Sequence, residues 1–263
     1  MKLVLYEPER GAALSLPELS GYVRKMFPEL GIEVRPPVFS GIFSKPEDKG
    51  FREKLLRELA SLRVKDPLKW VPYRPFPGEM EYEGKMLRGE TKSSPPYEGM
   101  MLLDVIRKFL PAKEKSFQHI HVVFTHRLIT TFDEDDRRYH ARAGLYSFPS
   151  LVSLTGIVEA PAKPREFYLK MQSGLPLDIV KEEFRGRYLD FNDPRTTEIM
   201  KGYLLQALLY HFTGLPFCEN RECRFYNAHR QEELLRAQSA RPEFCAVHRR
   251  LLPRLSKVAS KEQ

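Results

Sequence analysis

The sequence predicts an α/β fold: a twisted mixed sheet with helices, a central buried helix, and a C-terminal subdomain pinned by a metal. Three observations predict it. Strand-like and helix-like periods alternate over the first seventy residues. One helix near residues 195–212 is apolar nearly all round, so it belongs inside the domain rather than on it. All three cysteines fall between residues 218 and 245, after that helix has ended.

In chain order, KLVLYE reads as a strand, LPELSGYVRKMF as a helix, IEVRPPVF as a strand and FREKLLRELASL as an amphipathic helix. Residues 71–97 hold five prolines, several glycines and no sustained period, and are expected to form a long irregular excursion. A helix follows around MLLDVIRKFL. HIHVVFTHRLITTF is then expected to be a buried strand and its continuation, and DEDDRRYH a polar turn. GLYSFPSLVSLTGIVEA suggests one or two further strands, with Pro149 at an edge or bulge because it has no ladder donor. Asp193 and Pro194 open the apolar helix; Gly214 is its left-handed stop, and Pro216 prevents resumption. This gives an α/β domain over 1–213 and a C-terminal subdomain over 214–263.

Composition narrows the function. The 263 residues are 42% hydrophobic, ordinary for a globular domain. No run of about 18 apolar residues could cross a bilayer, and the N-terminus lacks a secretory pattern, so the expectation is a cytoplasmic protein with no membrane partner. The net charge of +8 leaves nucleic acid open as a partner. GxSxG, GxxxxGK[ST] and GxGxxG are all absent, which disfavours serine hydrolases, P-loop NTPases and dinucleotide enzymes.

Three cysteines in one quarter of the chain do not make a disulfide framework. Cys218-x4-Cys223 is followed after 21 residues by Cys245-x2-His248, two ligand pairs with room for a helix between them. That spacing suits one tetrahedral zinc, with His229 as the spare ligand. Four protein ligands leave no open position, so one structural Zn2+ that pins the C-terminal subdomain is expected. The alternative is three small buried thiols that happen to cluster.

The segment from the apolar helix to His248 resembles archaemetzincin-type metallopeptidases. That family carries HExxHxxGxxH on a helix and then a second, structural zinc held by cysteines. His211-Phe212-Thr213-Gly214 matches the second histidine and the glycine, and Cys218, Cys223 and Cys245 match structural ligands, with His248 in place of the last cysteine. The run RLITTFDEDDRRYHARAGLYSFPSLVSLTGIVEAPAKPREFY is in addition similar to an archaeal family described as metallopeptidases. Counted from Gly214, the first catalytic histidine falls on Ala207, the general-base glutamate on Leu208 and the third histidine on Phe217. The resemblance therefore implies a metzincin-like fold whose catalytic metal and base are gone, with Ala207, Leu208 and Phe217 closed over His211. It also implies an edge strand that pairs with an extended peptide, here near Tyr146, Ser147, Phe148 and Ser150.

Two other readings stay open. His119, His121, His126 and His140 could build a relocated metal or acid/base site for a hydrolase, although a strand end and a solvated acidic turn explain them as well. Arg249, Arg250, Arg254, Lys257 and Lys261 make a basic tail that is either a solvated end or a contact for nucleic-acid phosphates. The favoured function is a catalytically disabled peptidase-like protein that binds a peptide or protein partner.

Overall fold

The computed structural model describes residues 1–11, 14–43 and 49–261; the side chain of Lys261 lies outside the description. β1 (Lys2–Tyr6), α1 (Leu16–Met26), β2 (Gly31–Arg35) and α2 (Lys49–Ser61) follow the alternation of the sequence. α3 (Pro77–Leu87), β3 (Pro96–Glu98) and α4 (Gly99–Phe109) come next. β4 (His119–Thr125), β5 (Leu128–Asp133), β6 (Arg138–Arg142), β7 (Gly144–Leu145) and β8 (Ser150–Ser153) are consecutive. The rest is helical: α5 (Gly156–Glu159), α6 (Arg165–Gln172), α7 (Leu177–Glu183), α8 (Thr196–Thr213), α9 (Gln231–Ser239) and α10 (Ala246–Lys261).

The main sheet has the order β2-β1-β4-β8-β7, parallel except for β7, which runs antiparallel on β8 at the edge. A second sheet, β3-β5-β6, stands beside it. Alternation along the strands sends Leu3, Leu5, Ile120, Val122, Phe124 and Val152 into one core with α1, α8, α9 and α10. Val4, Tyr6, Val123 and Leu151 go into another core with α2, α3 and α4. Both faces are covered, which is why these strands read as continuous apolar runs.

α8 crosses under the sheet as the central buried helix. Gly214 ends it with φ 74° and donates its N–H to the Tyr210 carbonyl at 2.7 Å. At Gly202 a Cβ would come within 2.1 Å of the Gln238 side chain, so this glycine lets α9 approach α8 closely.

Three expectations are corrected. The 71–97 stretch is not wholly irregular: Pro77 opens α3, and Glu79 accepts the Phe76 N–H at 3.0 Å, so proline there starts a helix. HIHVVFTHRLITTF is not one strand continued. The Glu9 carboxylate accepts from the Thr125 hydroxyl at 2.6 Å and the His126 N–H at 2.8 Å, which ends the ladder and sends β5 to the second sheet. The basic tail is not merely a solvated end: Arg249, Arg250, Arg254 and Lys257 are exposed, but they ride on α10, which buries Leu252, Leu255 and Ala259, one helical stripe, in the core with Met1 and α1. Among the described residues no helix is long and apolar enough to cross a membrane.

Candidate metal centre and cleft

After the stop at Gly214, residues 218–226 fold back on themselves. Cys218 donates its N–H to the Phe225 carbonyl at 2.9 Å, Tyr226 its N–H to the Cys223 carbonyl at 2.8 Å, and the Asn220 N–H points at the Cys218 Sγ at 3.4 Å. The turn presents both thiols to one side. The Arg224 N–H donates to the Glu243 carbonyl at 2.8 Å, bringing in the segment that delivers Cys245 at the start of α10 and His248 in its first turn.

These four side chains are the one group of three or more metal-ligating residues among those described, with all ligand atoms within 4.8 Å of one another. Cys218 Sγ to Cys245 Sγ is 3.9 Å, Cys223 Sγ to His248 Nδ1 is 3.6 Å, and Cys245 Sγ to His248 Nδ1 is 3.3 Å. A zinc tetrahedron with bonds of about 2.3 Å to sulfur and about 2.0 Å to nitrogen has edges of about 3.8 and 3.5 Å. The donor set fits that ion. Burial pushes the Cys223 thiol up to about 12 and holds the His248 imidazole below its usual range, so the imidazole is neutral and ready to ligate. At Cys245 burial raises the pKa, but backbone N–H groups of His248 and Val247 and the neighbouring thiols outweigh it and the net direction is down.

The centre is tied to the central helix. The Arg224 side chain, fully buried, pairs with Glu198 Oε1 at 2.5 Å, donates to the Gln238 carbonyl at 2.8 Å and lies over the Tyr22 ring. The His248 ring packs on Phe225 at 4.7 Å. His229 stays outside the group, exposed on the wall of a neighbouring cleft.

That cleft, about 410 Å³, runs between the sheet edge and α8. One wall is residues 141–146; the floor is Tyr203, Gln206 and Tyr210 of α8; the far wall includes Phe217, Tyr226 and His229. The Tyr146 hydroxyl donates to Gln206 Oε1, and its ring meets Phe217 edge to face at 5.6 Å. Of the positions counted from Gly214, only Phe217 lines the cleft. Ala207 and Leu208 point into the sheet core, 0% and 1% exposed. His211 stacks on Phe117 at 4.3 Å, with its Nε2 2.9 Å from the Phe117 carbonyl. The three residues thus do not close over His211, because α8 turns a different stripe to the cleft. That stripe, Tyr203, Gln206 and Tyr210, carries polar atoms, but so do Glu198, Lys201 and His211 on the same helix, so the sequence alone does not single it out.

The remaining candidates are dispersed. His119 and His121 stack at 6.2 Å on β4; His121, 2% exposed, has its Nδ1 3.3 Å from the Tyr6 hydroxyl and its Nε2 3.2 Å from the Glu114 carbonyl. His126 is buried beside Glu9, and His140 lies on β6, 2.9 Å from Asp136. Among the described residues these four form no metal-ligating group. In the expected peptide edge, Ser147 and the Phe148 carbonyl accept from Arg107, and Ser150 lies on β8 paired with Val122, one strand in from the edge. The outer strand is Gly144–Leu145, which Tyr146 follows.

Compared with known proteins, residues 1–255 match a family described as "Probable metallopeptidase family (DUF6775)". No curated protein matches. Among solved structures, a zinc-dependent peptidase from Methanocorpusculum labreanum (strain Z) is 13% identical and covers 96% of this chain and 100% of its own, with a TM-score of 0.48.

Proposed function

We propose, from the premise that this chain belongs to the probable metallopeptidase family matched over residues 1–255, that it is a peptidase-like protein without peptidase chemistry. One zinc, held by Cys218, Cys223, Cys245 and His248, is structural; the cleft binds an extended peptide. The carrying observation is the composition of the cleft floor. Metal-assisted hydrolysis needs a ligated metal with an open position and a carboxylate to take the proton of its water. Tyr203, Gln206 and Tyr210 supply neither, and His229 is the single metal-ligating side chain on the walls.

Binding needs less. β7 pairs with β8 on one side, and Ala143 accepts the Ser153 N–H at 2.8 Å, so by alternation the N–H and C=O of Gly144 lie on the outer side. An extended peptide can add a strand there and place alternate side chains in the cleft against Tyr146, Tyr210 and Tyr226. The relocated-site hydrolase has weaker support, since among the described residues its four histidines form no metal-ligating group and each has other partners.

The test uses labelled extended peptides, aromatic or aliphatic at alternate positions, and anisotropy. Binding should weaken at least tenfold when alternate peptide nitrogens are methylated, and also in Tyr146→Ala. Affinity indifferent to N-methylation would reject strand addition. Chelator-sensitive cleavage of the same peptides would reject the loss of chemistry.

A further inference from the structure

We propose that a concavity beside the metal centre, sharing no residue with the peptide cleft, binds the phosphate backbone of a single-stranded nucleic acid. It encloses about 320 Å³, and Arg236 of α9, Arg241 of the following turn and Arg249 of α10 converge on it. Asn220 and Ser239 add neutral hydrogen-bonding groups, Phe244 an aromatic wall, and Glu222 the one carboxylate.

Three features single it out. First, the concavity is cationic because its guanidinium groups lack acidic partners. None of the three forms an ion pair with another described residue, whereas nearby acids are engaged elsewhere: Glu232 with Arg187, Glu243 with Arg224, and Glu233 on the backbone N–H groups that open α9. Second, charge is concentrated here. Residues 214–263 carry ten Lys and Arg against six Glu and no Asp, a net +4 that is half of the chain's +8. Third, the metal centre sets the spacing. Cys245 lies between Arg241 and Arg249, and it lines the concavity itself, so the ligand set that closes the tetrahedron also fixes where these guanidiniums stand.

A zinc with three thiolates and an imidazole is formally one unit negative, which lowers the local potential. Three arginines against that unit and Glu222 leave the concavity positive. Guanidinium forks match phosphate oxygens, and an aromatic wall beside them suits an unstacked base better than a closed duplex groove. Contacts to phosphate carry no sequence information, so binding should be sequence-tolerant and salt-dependent.

The experiment uses the full-length zinc-loaded protein and a fluorescein-labelled twelve-nucleotide single strand. With about three phosphates neutralised, the slope of log affinity against log salt is about −2, a fall of roughly twentyfold between 50 and 200 mM salt. Arg236→Gln/Arg241→Gln/Arg249→Gln should weaken binding at least tenfold at 50 mM and flatten the slope while retaining zinc by metal analysis. Lys54→Gln/Arg74→Gln, remote basic changes, should leave both unchanged. No binding at 50 mM salt, or full affinity in a triple variant that keeps its zinc, would overturn the proposal. Inorganic phosphate competing as well as an unlabelled strand at equal phosphate concentration would also overturn it, in favour of a small-oxyanion site. Peptide binding in the cleft stands or falls independently of all these outcomes.

Discussion

At the scale of single residues, the donor atoms and a buried carboxylate give the sharpest expectations. Cys223 is wholly buried and its thiol is held protonated up to about 12, so in the absence of a metal it is an inert core group. A bound metal must displace that proton. Cys223→Ala should abolish metal binding and destabilise the protein, by less than the ~10–16 kcal/mol that zinc contributes to isolated fingers, because two cores fold around the sheet regardless. Metal content and thermal melting check this. Glu9 makes a different prediction. Burial raises its pKa, but the hydrogen bonds from His126 and Thr125 and the charge of Arg127 outweigh it and bring the carboxyl down to about 2. A folded pKa below the unfolded value stabilises the fold above about pH 4.5, and that contribution, on the order of 3 kcal/mol, is lost as pH falls toward 2. Glu9→Gln should therefore be less stable than wild type at pH 6, with a gap that narrows steadily between pH 4.5 and 2 in denaturant titrations. A gap independent of pH would mean that Glu9 titrates alike in both states.

At the scale of elements, α8 shows what the sequence could and could not carry. Its existence, its burial and its stop at Gly214 were legible, since an apolar run closed by glycine and Pro216 has few alternatives. Which stripe faces the cleft was not, because a helix buried all round has no polar face to orient it. Counting from the glycine put Ala207 and His211 at the relic ligand positions, whereas packing turns Gln206 and Tyr210 to the cleft. The difference is testable. Gln206→His/Tyr210→His, one turn apart on the cleft face, should create a second, weaker zinc site, detectable by calorimetry. Ala207→His should create none and should cost about 1–3 kcal/mol by overpacking a residue with no exposed surface. A second site in Ala207→His would restore the register counted from Gly214. The clustering of Cys218, Cys223, Cys245 and His248 was legible, because cysteine spacing is local and every cysteine is used. The junction at Thr125 and the packing of α10 were hidden for the opposite reason: both depend on partners far along the chain, Glu9 for the one and Met1 for the other.

At the scale of the whole molecule, the sheet, α8, the cleft and the Cys and His group are physically linked. A sheet covered on both faces packs on α8, α8 floors a cleft beside the antiparallel edge strand, and the segment that a metal on the Cys and His group would tether walls that cleft. Arg224 links this tether to Glu198 at the start of α8, so loss of the metal should loosen the cleft as well as the C-terminal helices. On the proposed reading, peptide affinity should therefore fall when zinc is removed by chelation. The proposed function requires one metal site, in the Cys and His group, and none over α8. Elemental analysis of extensively dialysed native protein and of Cys223→Ala tests this most directly. The prediction is one zinc per chain in the former and none in the latter. Two zincs per native chain, or a zinc that persists in Cys223→Ala, would contradict it.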